Sequence, residues 1–153
     1  HKRCSDFRDP SGGVMRLQEC FEKRLLRKDK PNSGKAEKAL DVAGRKLKRA
    51  ESLLKDGYVE EAIVSAYTAM FQAAWAVLYK EGIVEKSHAC VVEYIRESKK
   101  MDLRYVNWLD SYRLERHAIM YSMEDLEMDS SEAKDAIAKA KEFMVLVRKL
   151  LHS

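Results

Sequence analysis

At 153 residues the chain fits one domain, long enough to bury a substantial core. Its three cysteines, Cys4, Cys20 and Cys90, match the spacing of no metal site or disulfide framework and read as reduced, intracellular thiols; the first residues also lack the apolar core of a signal peptide. Export is therefore not expected, and a cytoplasmic location is. The net charge of +4 is uneven: residues 1–55 hold sixteen Lys and Arg against eight Asp and Glu, the remainder thirteen against seventeen. That bias suits RNA or an acidic partner at the N-terminal end, and it suits a solvated lysine face equally well.

Residues 1–14 are polar, contain Pro10, Gly12 and Gly13, and read as a flexible leader ahead of a single domain over 15–153. No strand signal follows. A short amphipathic helical segment over Met15 to Lys28 gives way to the breaker Lys30-Pro31-Asn32-Ser33-Gly34. The next helix places Ala36, Ala39, Leu40, Ala43, Leu47, Ala50 and Leu54 on one face and closes at Asp56-Gly57. Ala62 to Tyr79 is free of charge for 18 positions, the lower limit for a membrane span. Ser65, Thr68 and Gln72 interrupt it, alanine supplies much of its bulk, and its charged ends lack an anchoring pattern, so it reads as the buried central helix of a soluble bundle.

Gly82 ends that helix. Ser87 caps the next, which carries Val91, Tyr94 and Ile95, and a further helix runs from about Asp102 to Ser122. Asp129 and Glu132 have capping-box spacing before a last helix with Ala133, Ala136, Ile137, Ala140, Met144, Val147 and Leu151 on one face. Short links favour antiparallel neighbours, hence an all-α, up-and-down bundle of about five helices. The turn at Gly57-Tyr58 suggests a tetratricopeptide pair, but no second copy lies at a 34-residue offset.

The helix after Asp102 contains a conflict. Projected at about 100° per residue, Val106, Leu109, Tyr112, Ile119, Met120 and Met123 share one arc, and Arg113, Arg116 and His117 fall within it or at its edge. A guanidinium there needs a carboxylate, backbone carbonyls, a partner chain or an anionic ligand. A plain ion pair with a core Glu would satisfy it; a pocket or interface would too. No phosphate loop, dinucleotide fingerprint, nucleophile elbow or zinc set is present. His88 and Cys90, two apart on a helix, do not face one metal, and His88 reads as part of a helix start. Tyr67, Trp75, Tyr79 and Tyr94 follow helical spacing and read as core rather than a base-stacking platform.

Four pieces then occur in order: Leu53-Leu54-x-x-Gly57-Tyr58-x-x-Glu61-Ala62, the run Ser65 to Ala76, the link Gly82 to His88, and Tyr112-Arg113 to Tyr121. Together, over roughly Lys35 to Leu151, they resemble the HEPN domain (higher eukaryotes and prokaryotes nucleotide-binding), nearest to its small stand-alone prokaryotic members. The resemblance implies a helical homodimer, often encoded with a small nucleotidyltransferase as a toxin–antitoxin pair, without cofactor or metal. Many members are metal-independent ribonucleases whose signature is Arg, a polar residue, three to five others, then His. Arg116 matches that arginine and His117 the polar neighbour, but Tyr121 stands at the closing histidine; Gln72 stands where the central helix usually has His. A phenol with a reference pKa of about 10 is a poor base at pH 7. The resemblance thus implies RNA or nucleotide binding at a dimeric cleft by Arg113, Arg116 and His117, with Arg116, His117 and Tyr121 as the catalytic candidates. The second expectation is a non-catalytic module that binds a nucleotidyltransferase.

Overall fold

The computed structural model describes residues 16–121 and 127–152; the expected leader over 1–14 and Ser122 lie outside them. The bundle is organised around a helix that is mostly enclosed. α3 (Val59–Glu81) buries thirteen of its residues between its neighbours and leaves a partly exposed stripe through Val64, Thr68, Gln72 and Trp75. Although its length and hydropathy would allow a membrane crossing, 72% of its apolar window is covered by protein.

α2 (Ser33–Lys55) begins where Asn32 accepts a bond from the Lys35 amide at 2.9 Å, and it buries Ala36, Ala39, Leu40, Ala43, Leu47 and Ala50 as the periodicity requires. α3 presents Ala62, Ala66, Ala69, Ala73 and Ala76 at the same three- and four-residue spacing, each at most 1% exposed. One methyl per turn on both helices lets their axes approach closely, and this is the most extensively packed pair. The pair is antiparallel: Ser65 Oγ donates to the Lys46 carbonyl at 2.7 Å, and the Asn32 amide donates to the Tyr79 carbonyl at 2.9 Å.

α6 (Ser130–His152) starts with Asp129 Oδ1 accepting from the Glu132 amide at 3.0 Å and covers α2 and α3 with its Ala133–Leu151 face. Lys141–Glu51 at 3.0 Å and His152–Glu37 at 2.5 Å mark its antiparallel course along α2. These exposed pairs contribute at most about 1 kcal/mol each. Burying one Phe143 or Leu151 is worth about 2–3 kcal/mol, so apolar packing sets this contact. α5 (Leu103–Tyr121) runs against α6, with Tyr105 and Tyr112 hydroxyls reaching Glu142 at 2.9 Å and Asp135 at 3.2 Å. With α4 (His88–Ser98) crossing between α3 and α5, the architecture is the expected up-and-down helical bundle.

The N-terminal part corrects the sequence reading. The segment expected as one amphipathic helix divides into α1 (Leu17–Glu22) and β1 (Leu26–Lys28), with Arg24 at φ +58 in the turn between them. β1 pairs antiparallel with β2 (Ile83–Glu85), Leu26 opposite Glu85 and Lys28 opposite Ile83. Three-residue strands are too short for alternation to register, so their pairing is visible only in three dimensions. Cys20 and Cys90 are joined in a disulfide across 70 positions, Cα–Cα 5.9 Å, contrary to the expectation of reduced thiols. Cys4 lies outside the described residues.

Gly82 joins α3 to β2 at φ +77, and a Cβ there would lie 2.4 Å from the Asp29 carbonyl oxygen. Gly82→Ala therefore meets both the left-handed backbone cost and a backbone collision. Urea unfolding should show a loss of about 2 kcal/mol or more; an unchanged midpoint would mean that the Asp29–Gly82 approach is not maintained.

Candidate functional site

Tyr67, Phe71 and Trp75 stand at four-residue intervals on α3, so they form one row along the helix. Phe71 packs against Tyr67 with ring centroids 5.7 Å apart, and Trp75 meets Phe71 edge-on at 4.8 Å. Their aromatic surface receives His88. The imidazole stacks on Phe71 at 3.8 Å between centroids and 25° between planes, and its Nδ1 lies 3.0 Å from the Tyr67 hydroxyl. His88 is placed there because Ser87 caps α4: Ser87 Oγ accepts the Cys90 amide at 3.2 Å, making His88 the first helical residue.

α5 brings two cations to the same place. Arg113 is 8% exposed; its Nε and Nη2 donate to Asp110 Oδ1 at 3.0 and 2.8 Å. The plain explanation for a guanidinium on the apolar arc therefore holds for part of Arg113, with Asp rather than Glu as the partner. It does not complete the account, because buried Arg113 Nη1 has no hydrogen-bond partner among the described residues. Leaving such a donor unmet costs about 1–3 kcal/mol. Arg116, half-buried, holds its guanidinium 5.8 Å from the Tyr67 ring centroid and has no ion-pair partner among the described residues.

Burial first, and then the charges of Arg116 and Arg113, together push the His88 pKa down to about 4. The imidazole is thus neutral at pH 7. If the Tyr67 hydroxyl donates to Nδ1, the proton resides on Nε2, and the ring offers a donor beside two guanidinium groups. Cations and neutral donors converging on one face suit an anion. They do not suit a metal ion, and no group of three potential ligands occurs among the described residues.

The four residues singled out from sequence divide. Arg113 and Arg116 approach His88, whereas His117 and half-exposed Tyr121 pack on each other at 4.7 Å near the end of α5. Gln72 stands one position off the aromatic row. A groove of about 510 Å³ between α2, α3 and the last turns of α5 is lined by Lys46, Arg49, Leu53 and Met120 and does not include the arginine–histidine cluster. His88 and the Tyr67–Phe71 surface are the residues that sequence reading missed as part of a site. Their local roles, helix start and core spacing, account for their sequence pattern and conceal the cluster they form; the Arg tract gave no indication of which helix it faces.

The profile of the HEPN domain matches residues 36–150, which takes in α2 through most of α6 and every member of this cluster. No curated protein matches the chain.

Since the folded chain holds His88 neutral while the unfolded chain takes up a proton near pH 6.5, this group leaves stability unchanged above pH 6.5. It costs stability as pH falls from 6.5 towards 4, up to about 3 kcal/mol in all. Comparing denaturant midpoints of wild type and His88→Gln at pH 7 and pH 4.5 should show that the variant loses less on acidification. Equal losses would place the imidazole in contact with water.

Proposed function

The chain belongs to the HEPN domain family, and from that membership we propose that it binds RNA or a nucleotide through Arg113, Arg116 and neighbouring histidine at a cleft completed by a second copy. The observation that carries the reading is half-buried Arg116, without an ionic partner among the described residues, lying over the Tyr67 ring whose hydroxyl meets neutral His88, with buried Arg113 one turn away. A phosphate oxygen on half-buried Arg116 would gain a charge-assisted contact and offset the mutual repulsion of the two cations. A neighbouring aromatic row gives a base or ribose an apolar surface beside the phosphate.

A second copy is supported by the outer face of α5. Leu103, Leu114 and Tyr121 are 55%, 39% and 51% exposed, and their offsets of eleven and eighteen positions return them to one stripe of the helix. Two such stripes meeting about a two-fold axis would bury that apolar surface and bring His117 and Tyr121 of each copy to the interface. By analogy with the small prokaryotic members, the dimer would work beside a small nucleotidyltransferase as a toxin–antitoxin-like pair.

Binding is favoured over cleavage of RNA by the groups at hand. A ribonuclease needs a base that titrates near neutral pH, whereas His88 is held far below it and Tyr121 is a phenol. His117 is the one remaining candidate on α5 for that role. The non-catalytic alternative, a module that docks a nucleotidyltransferase, would use the same arginines on a partner carboxylate.

Arg116→Ala should weaken binding of a fluorescent single-stranded RNA or of AMP at least tenfold, as expected for loss of a charge-assisted contact. Its helical circular dichroism should be unchanged, because Arg116 carries no ion pair among the described residues. Light scattering should give about twice the 17.7 kDa chain mass. Wild-type protein that binds neither ligand, or an Arg116 variant that unfolds, would make the guanidinium structural.

A further inference from the structure

The segment that carries His88 is held at both ends by one short piece of chain. On one side, the Lys86 amide donates to the Leu25 carbonyl at 2.8 Å, just beyond the end of β2. On the other, Cys90 is bonded to Cys20 of α1. The holding piece is itself closed, since the Leu25 amide donates to the Cys20 carbonyl at 2.8 Å. Cys20–Leu25 and Lys86–Cys90 thus form a small ring, with a hydrogen bond at one end, a disulfide at the other, and His88 midway along one side.

We infer that the Cys20–Cys90 disulfide is a redox-sensitive clamp that keeps His88 stacked on Phe71 and bonded to Tyr67, over whose ring Arg116 lies, so that the anion site is assembled in the oxidised protein and loosened in the reduced one. This rests on the reading of that cluster as the binding site. The clamp is localised by α1, whose six residues are too few to persist as a helix without tertiary support. Its attachments beyond the β1–β2 pairing are the Lys86 bond, the disulfide, and packing of partly buried Leu17 and Phe21. Removing the covalent link leaves the Lys86–Leu25 bond, the Ser87 cap and the Tyr67 hydroxyl to hold the first turn of α4 and His88.

The chemistry is two-electron thiol–disulfide exchange with a dithiol. A reductant thiolate attacks one sulfur of the pair and forms a mixed disulfide; its second thiol then displaces that sulfur. Cys20 and Cys90 gain two electrons and two protons as thiols, and the reductant leaves as its own disulfide. Both cysteines are fully buried, so exchange waits on local opening of α1 rather than on unfolding of the bundle.

The test follows the imidazole directly by NMR of the full chain, with the His88 signals identified by their loss in His88→Gln. In the oxidised protein the ring protons should be shifted upfield by Phe71 and should resist protonation until about pH 4. With dithiothreitol the upfield shift should shrink and the titration should move towards 6.5. The apparent Kd for AMP should rise about tenfold, as when the competent arrangement falls to about one-tenth of the population. Cys20→Ser should reproduce this without reductant, with helical circular dichroism retained. Identical His88 spectra in the two states, or a displaced His88 with equal AMP affinity, would overturn the inference. So would reduction that melts the helices, since the bond would then be a global staple. A displaced His88 in a protein that binds AMP in neither state would support the clamp and overturn the anion-binding reading.

Discussion

Burial of α3 is the constraint on which the rest of the molecule depends. A helix with thirteen buried residues must be covered by neighbours, and alanine at three- and four-residue spacing lets α2 cover it closely. α6 covers a further side, and α4 and α5 the part that carries Tyr67, Phe71 and Trp75. Polar groups that approach that part enter a low-dielectric region where each charge or unmet donor is expensive. The Tyr67–His88 bond, the Asp110 carboxylate on Arg113 and the depressed His88 pKa all answer that cost. Arg113 Nη1 and Trp75 Nε1 are the buried donors left unanswered among the described residues.

The energetics separate structural from functional arginine within one helix turn. Arg113 has two of its five N–H donors satisfied by one carboxylate, which suits a side chain with a positioning role. Arg116 gains a cation–π contact near the outer limit of useful distance, worth about 0.5–1 kcal/mol when exposed. Nothing in that contact explains why a guanidinium rather than a leucine occupies the position. A bound anion, as proposed, would supply the reason, since a guanidinium meeting phosphate oxygens gains more than it does from an aromatic face.

Much of the bundle was legible in the sequence because its signal is local and repeated. The Ala36–Leu54 and Ala133–Leu151 faces, the charge-free stretch within α3, the Ser87 cap and the Asp129–Glu132 bond all lie within a few residues of their partners. The β1–β2 ribbon and the Cys20–Cys90 bond were not, because each joins positions more than 50 residues apart and neither has a periodic signal. The site was half legible. Arg113 and Arg116 stood out as cations on an apolar arc, and even the Asp110 partner could have been found three positions away. His88 could not, since its place against Phe71 follows from the way β2 and α4 return the chain to α3 after 17 residues.

The most direct test of the account is the His88 pKa measured with and without a bound anion. In the free protein the ring should titrate near pH 4. Saturating AMP or a short RNA should raise that value by more than one unit, because a phosphate between Arg113 and Arg116 cancels the field that opposes protonation. A free-protein value near 6.5, or one that does not move when ligand binds, would contradict a shared arginine–histidine anion site.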